Sequence, residues 1–186
     1  MDTSTNNISL DRIIRRAKDV MSFNTRTYEE IVRDPSATME AAIVVATVAI
    51  ASGLGRIFDG GGALVGAVIA MLIGWVVSAV VIYMVGTKVT GTPDTSSSVE
   101  RVMRIVGYAA VPGIFSLFTG LWLIGWLIAT ILFFWLLATM VLAIRASLDM
   151  SLGQAILTGV VAWIANLIAT GLIWALFGIN PTFPFS

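Results

Sequence analysis

Long apolar stretches separated by short polar segments make up the chain from residue 37 onward. Charged residues are absent from 41–55, from 60–87 and from 105–144. A helix that crosses a bilayer needs about 20 apolar residues, so the third stretch is long enough for two crossings. The pattern predicts five spans, at about 38–58, 63–86, 102–118, 121–144 and 153–177. The predicted fold class is all-α, a polytopic membrane protein with a bundle of five transmembrane helices in 37–178.

Residues 1–36 are polar and form an arm ahead of the spans. Between Ile8 and Met21, apolar residues recur three and four positions apart, and charged residues occupy the other side. This spacing predicts an amphipathic helix that is too polar to span a membrane. Two placements remain open for it, either in the plane of the membrane surface or packed on the protein's own cytoplasmic face.

The Lys and Arg residues predict the orientation, because they are retained on the cytoplasmic side of membrane proteins. With five spans and a cytoplasmic arm, ten of the eleven cations lie in the arm or in the loops on its side. Only Arg56 lies on the opposite side. We therefore expect a cytoplasmic N-terminus and a short extracytoplasmic tail at 179–186.

The composition excludes several classes of function. Charged residues make up 12% of the chain, the formal net charge is zero, and histidine and cysteine are absent. A nucleic-acid-binding protein would carry a basic surface. Cysteine thiolates and histidine, which serve as nucleophiles, metal ligands and axial haem ligands, are not available. We expect no catalytic residue, no cofactor, no metal and no nucleic-acid partner, and hence a protein that is not an enzyme.

A row of small residues lies along one side of the predicted second span. Its members are four positions apart: Gly62, Gly66, Ala70, Gly74 and Ser78. Such a ridge allows another helix to approach closely. Packing within the chain is the favoured interpretation, because five helices must first pack with one another, and another copy of the protein is the alternative.

Asn166 is the one strongly polar side chain deep in a predicted span. It belongs to a row four residues apart with Thr158, Ala162 and Thr170. An ion pump or proton-coupled transporter usually carries charged residues in its spans, and here none lies in the middle of one. A hydrogen bond between helices is the favoured role of Asn166, and a polar binding site is the alternative.

The segment 101–113 is the most distinctive part of the chain. It passes from the basic residues Arg101 and Arg104 to Gly107, Tyr108 and Pro112. Proline removes a backbone hydrogen bond and a glycine makes room for a neighbouring helix, so we expect a kink in the third span. The tyrosine hydroxyl needs a partner inside the membrane.

In their order along the chain, these features resemble the Yip-one family of Yip-domain membrane proteins. The resemblance covers about 20–177 and rests on the segment from Phe23 to Pro35, the five spans, the Gly107-Tyr108…Pro112 motif, the stretch 143–151, and a fifth span near Gln154. The resemblance implies a multi-pass protein with a cytoplasmic N-terminus. The arm is short and lacks the Asp-Leu-Tyr-Gly-Pro element of the eukaryotic members. The chain therefore looks like the short prokaryotic members, which implies the cytoplasmic (plasma) membrane and gives no basis for expecting Rab binding.

Three functions are compatible with the sequence. The first is a scaffold, assembly factor or accessory subunit for other membrane proteins, including further copies of itself or the members of a larger complex. The second is a passive transporter or channel for a small neutral or lipid-like solute, suggested by the Asn166 row. The third is a membrane-shaping protein that acts on the lipid bilayer through the helix in the arm.

Overall fold

The computed structural model describes residues 9–55, 64–91, 97–121 and 123–177, and over these ranges the chain is helical and contains no strand. Seven α-helices and a 3₁₀ segment account for this part of the chain. They are α1 (Leu10–Met21), α2 (Thr25–Arg33), α3 (Ala37–Gly55), α4 (Leu64–Lys88), α5 (Val99–Ala109), the 3₁₀ segment (Val111–Phe118), α6 (Gly125–Leu148) and α7 (Leu152–Phe177).

Four helical segments within the described ranges are long and apolar enough to cross a membrane. They are Ala37–Leu54, Met71–Lys88, Val99–Phe118 and Gly125–Leu148. Helix α7 is 26 residues long, and the stretch Leu152–Ala165 within it is a shorter apolar helix. The all-α, multi-pass architecture predicted from the hydrophobic pattern is therefore present.

Helix α3 and the α5–3₁₀ unit lie side by side and run in the same direction. The direction follows because the contacting pairs rise together in number along both elements. A Cβ built on Gly107 would lie 2.7 Å from Ala41 Cβ, one on Gly113 would lie 2.8 Å from Val48 Cγ1, and Ser116 Oγ is 2.7 Å from Ser52 Oγ.

In the third span, where a kink was expected, the helix changes type. Helix α5 ends at Ala109, and Pro112 lies near the start of the 3₁₀ segment. A 3₁₀ helix rises about 2.0 Å per residue, so its eight residues add about 16 Å to the roughly 16 Å of α5. The Thr139 hydroxyl of α6 lies 2.9 Å from the Ala109 carbonyl oxygen, at the point where the helix type changes, and also 3.0 Å and 3.2 Å from the carbonyl oxygens of Leu136 and Trp135 in its own helix.

Helix α6 begins at Gly125, four residues after the predicted start of the fourth span at 121. The Gly125 amide donates to the Leu121 carbonyl at 2.7 Å, which closes a turn between the 3₁₀ segment and α6. A Cβ at Gly125 would collide with the Thr119 carbonyl oxygen. The turn therefore occupies residues that hydropathy alone assigns to the span.

Helices α1 and α2 form a hairpin that packs on α5 and α6. The end of α1 has two reverse-turn bonds, from Asn24 N to the Asp19 carbonyl at 2.9 Å and from Phe23 N to the Val20 carbonyl at 3.1 Å. Phe23 has φ 60° in this turn, where glycine is usual. A bulky residue in this conformation costs free energy that the surrounding contacts must offset.

Candidate functional site

The inward face of α1 is formed by Ile13, Arg16 and Val20, all buried. These residues are three and four positions apart, which places them on one side of a helix. Arg16 therefore projects into the protein between two apolar neighbours, and its side chain is only 3% exposed. A buried guanidinium requires partners for its charge and for its N–H groups.

Three carboxylates surround the Arg16 guanidinium. Its Nη1 donates to Glu40 Oε2 at 2.8 Å, and its Nη2 donates to Glu30 Oε1 at 2.8 Å and to Asp34 Oδ2 at 2.7 Å. Burial by itself would lower the pKa of Arg16, but these hydrogen bonds outweigh it and raise the pKa above the ordinary value. The three acids come from α2, from the residue that ends α2 and from the first turn of α3, so one side chain joins three segments.

Glu40 is fully buried, and its two carboxylate oxygens accept hydrogen bonds from side chains of two other helices, α1 and α5. Besides Arg16, Arg12 Nε donates to Glu40 Oε1 at 2.6 Å, and Arg12 Nη2 pairs with the same oxygen. The Tyr108 hydroxyl donates to Glu40 Oε2 at 2.6 Å. The tyrosine of the 101–113 motif thus has its partner in the first turn of α3, and the carboxylate connects α1, α3 and α5.

We call this set of six side chains the arm network: Arg12, Arg16, Glu30, Asp34, Glu40 and Tyr108. Formally it contains two cations and three anions, and Arg15 adds a third cation through Nη2 at 3.3 Å from Glu30 Oε1. Arg16 and Glu40 are buried, whereas Arg12, Glu30 and Asp34 are partly exposed. The buried pair holds its geometry strongly, because removal of one partner leaves the other charge uncompensated. The network therefore fixes the arm to the spans.

Hydrogen bonds outside the network hold the arm at further points. Arg104 Nη1 donates to the Val32 carbonyl at 3.0 Å, and Arg104 Nε donates to Thr38 Oγ1 at 3.0 Å. On the other side, Trp135 Nε1 of α6 donates to the Met21 carbonyl at 3.1 Å. Within the arm, the Tyr28 hydroxyl donates to the Val20 carbonyl at 3.0 Å, and burial raises the pKa of Tyr28.

Gly107 lies at a close approach of α5 to α3 and α4. In addition to the contact with Ala41, a Cβ at Gly107 would lie 3.1 Å from Trp75 Nε1. Tyr108 follows directly and is fully buried, and Pro112 is buried at the start of the 3₁₀ segment. The three motif residues thus lie together in the centre of the bundle, next to the arm network.

The small-residue row of α4 is only partly covered by the described residues. Gly62 lies outside the described residues. Gly66 and Ala70 belong to α4, but the contacts around them are not described. Gly74 is exposed, and a Cβ built on it would meet no atom within 4 Å. Ser78 is half-buried. At Gly74, therefore, the row faces away from the part of the chain that the structure describes, including the arm network.

Asn166 belongs to α7, but its side chain lies outside the described residues. Another member of its row, Thr158, is fully buried, and its Oγ1 lies 2.6 Å from Thr90 Oγ1 just beyond α4. This bond joins the start of α7 to the end of α4. The polar row therefore makes at least one contact between helices.

Sequence reasoning missed the arm network. It assigned Arg12 and Arg16 to the outer, charged side of the first helix and gave Glu40 no partner. One signal was available for Arg16, since its position lies between Ile13 and Val20 on the apolar stripe. No local signal exists for its pairing with Glu40, which is 24 residues further along the chain, or for the bond from Tyr108 to the same carboxylate.

Comparisons with known proteins agree with the resemblance drawn from the sequence. A family model described as the Yip1 domain matches residues 18–173. The match begins within α1 and ends within α7, so it includes most of the arm network and the whole 101–113 motif. No curated protein and no solved structure matches the chain.

Proposed function

The chain belongs to the Yip1 domain family, and from this premise we propose that it is a non-enzymatic membrane scaffold or accessory subunit. It would assemble with other membrane proteins and present a preformed surface to them on the side of the arm. The family and the apolar helices make it a multi-pass integral membrane protein. Its role in assembly rests on the arguments that follow.

The observation that carries the proposal is the fixed arm. The arm network, together with the bonds from Arg104 and Trp135, holds α1 and α2 against the bundle. The outer side of α2 then exposes Arg26, Glu29 and Arg33 in a defined arrangement. A surface that is ordered before binding avoids the entropy cost of ordering on binding, which suits a docking platform.

The bonding of the network also supports a structural role. Each of its carboxylates is bonded to at least one guanidinium, and Glu40 also accepts from a tyrosine hydroxyl. A catalytic acid or base must be within hydrogen-bond reach of a substrate. Here the lone pairs of the buried acid are directed to other parts of the same chain.

We further infer five spans, with the arm cytoplasmic and the chain end at 186 outside. Helix α7 is long enough to cross, since 26 residues of α-helix extend about 39 Å, and the parallel pairing of α3 with α5 fits alternate crossings. Because the chain has no cysteine, single cysteines at Lys18 and Ser186 can be labelled without background. Labelling of position 186 from the cytoplasmic side would overturn the fifth crossing.

Photo-crosslinking in native membranes tests the scaffold proposal. A photoreactive amino acid at Arg26 or Arg33 should give discrete adducts with another membrane protein. The same probe at fully buried Val32 should give none. Absence of adducts at both exposed positions, together with a monomer in blue-native gels from mild detergent, would contradict the proposal.

A second candidate function, membrane shaping, is favoured by the depth of the α1–α2 turn. Met21 is bonded to Trp135, which lies about 20 Å along α6 from its end at Leu148. The turn therefore lies beside α6 and not beyond its end, and it exposes Phe23 there, while α1 exposes Leu10 and Ile14. Such residues inserted in one leaflet would act as a wedge.

Reconstitution distinguishes this second function from the first. Vesicles carrying the full chain should become smaller or tubular if the arm acts as a wedge. Substitution of Leu10, Ile14 and Phe23 by Asn should abolish the change while leaving crosslinked partners intact. Equal vesicle shapes with and without the substitutions would exclude a wedge.

A further inference from the structure

A groove of about 480 Å³ lies where the arm meets the beginning of α3, alongside α4 and α5. Its wall includes Arg12 from α1, Ser36 before α3, Met39 and Ala42 from the first turns of α3, Trp75 from α4 and Met103 from α5. Four segments of the chain thus converge on it. The groove is separate from the six-residue arm network except for Arg12, which belongs to both.

The groove has a polar end and an apolar wall. Arg12 and Ser36 lie at the end where α3 begins, while Ala42 and Trp75 lie further along the spans. Trp75 Nε1 donates to the Met103 carbonyl at 3.0 Å, so the polar atom of the indole already has a partner in the protein. The wall formed by Met39, Ala42 and Trp75 is accordingly apolar. Met39 is 60% exposed.

Arg12 brings a cation with spare hydrogen-bonding capacity to the polar end. Its Nε and Nη2 are both directed at Glu40. Its Nη1 donates to no side chain or carbonyl among the described residues, and the side chain remains 33% exposed. A guanidinium with an available N–H pair is suited to phosphate oxygens.

We propose that this groove binds one anionic phospholipid from the leaflet on the arm side, with its phosphate at Arg12 Nη1 and an acyl chain along Met39, Ala42 and Trp75. The charged end of the groove lies where the spans begin, at the level of a lipid headgroup. The apolar wall lies further along the spans, at the level of the acyl chains. Inorganic phosphate would leave the apolar wall uncovered. A neutral lipid without an anionic headgroup would leave the free N–H groups of Arg12 without an acceptor.

Native mass spectrometry of the full chain, released from mild detergent, measures the site directly. Phosphatidylglycerol should be retained as one bound lipid per chain in preference to phosphatidylcholine, and inorganic phosphate alone should give no adduct. Arg12→Gln should weaken phosphatidylglycerol binding by about tenfold or more, because it removes a charge-assisted hydrogen bond. The matched control is Arg15→Gln, another arginine of α1, whose side chain is 54% exposed and does not line the groove.

A second pair of variants tests the apolar wall with Arg12 intact. Ala42→Trp should fill the groove and abolish retention of the lipid. Ile43→Trp, at the next and exposed position of α3, should leave retention unchanged. Thermal unfolding of each variant establishes that it is folded. If Arg12→Gln fails to fold because Glu40 loses a partner, the comparison of Ala42→Trp with Ile43→Trp tests whether the lipid occupies the groove.

Several results would overturn the proposal. Unchanged retention in Ala42→Trp would exclude the groove as the site. Equal weakening by Arg12→Gln and Arg15→Gln would reassign the effect to the overall charge of the arm. Phosphatidylcholine carries the same phosphodiester beside a choline cation, so its equal retention would remove the preference for a net anionic headgroup. A phosphate adduct without lipid would make the site an anion site.

Discussion

Helices α3 and α4 are nearly equal in hydropathy, but they occupy different places in the bundle. The mean hydropathy is 1.8 for Ala37–Leu54 and 1.7 for Met71–Lys88, whereas 44% of the first window and 22% of the second are buried inside the protein. Hydropathy therefore identifies both as spans but does not indicate which one is central. The polar and small residues carry that information.

The residues that make α3 central are small or charged. Ala41 allows the approach of Gly107, and Glu40 draws α1 and α5 to the same point. Helix α4 instead turns Ile73, Gly74 and Val77 outward. Substitution of the central residues of α3 should therefore lower the free energy of unfolding, whereas substitution of the outward residues of α4 should not.

The largest effect is expected for Glu40→Ala. The substitution leaves Arg12, Arg16 and the Tyr108 hydroxyl without their common acceptor, and loss of one partner from a buried ion pair costs about 3–5 kcal/mol. Denaturant unfolding in detergent measures the loss. Glu29→Ala, at an exposed position of α2, is the control, and a change at Glu40 no larger than at Glu29 would contradict the central role of the network.

Gly107→Ala should have the next largest effect. The added methyl group meets Ala41 Cβ at 2.7 Å and Trp75 Nε1 at 3.1 Å, and overpacking of this kind costs about 1–3 kcal/mol. The reciprocal change Ala41→Gly in the same chain should restore part of the loss. Absence of any rescue in unfolding measurements would show that the two helices do not meet at these residues.

Thr139→Val tests the point where α5 gives way to the 3₁₀ segment. The substitution keeps the shape of the buried side chain but removes the hydroxyl that satisfies the Ala109 carbonyl, at a cost of about 1–2 kcal/mol. Thr130→Val in the same helix is the control, because that exposed hydroxyl bonds only to the carbonyl of Trp126 in its own helix. Equal costs at both positions would contradict a special role for Thr139.

Acidification should loosen the arm without unfolding the spans. The hydrogen bond from Arg16 lowers the pKa of Glu30 from 4.5. For Asp34, burial acts in the opposite direction, but bonds from Ser36 and Arg16 outweigh it and lower the pKa from 3.8. Groups whose pKa is lowered on folding stabilise the fold above the ordinary pKa and lose that contribution as the pH falls through the lowered value. The arm should be held at pH 7 and loosen below about pH 4.

Spin labels at Lys18→Cys and Leu137→Cys measure this loosening as a broadening of the distance between the arm and α6. The paired substitutions Glu30→Gln and Asp34→Asn remove the two carboxylates whose pKa is lowered, and should reduce the dependence of the distance on pH in this range. A distribution that is constant down to pH 3 in the unsubstituted arm would contradict the assignment.

Much of the helical fold was predictable because apolar stretches and the order of motifs can be read directly from the sequence. The apolar stretches coincide with helices that are long and apolar enough to cross a membrane. The start of α6 was misplaced because Leu121–Ile124 are as apolar as the helix that follows. The buried pairing of Arg16 with Glu40 depends on where α1 is positioned in three dimensions, which hydropathy does not predict.

The smallest effect on the fold is expected at Gly74, and this position gives the clearest contrast with Gly107. Both are glycines in the interior of a helix, but at Gly74 an added side chain meets open space. Gly74→Leu should therefore leave the free energy of unfolding unchanged or slightly raised, since glycine is about 1 kcal/mol less favourable than alanine inside a helix. A marked loss of stability would mean that α4 packs on this side within the chain.

Assembly separates the two remaining interpretations of the small-residue row. If the row receives a helix of another membrane protein, Gly74→Leu should remove the larger species from blue-native gels while the monomer stays folded, because the leucine blocks close approach. Ile73→Leu, at the neighbouring exposed position, changes side-chain shape without closing the row and should leave assembly intact. If both variants assemble like the original chain, the open side of α4 contacts lipid, and the scaffold role then depends on the arm alone.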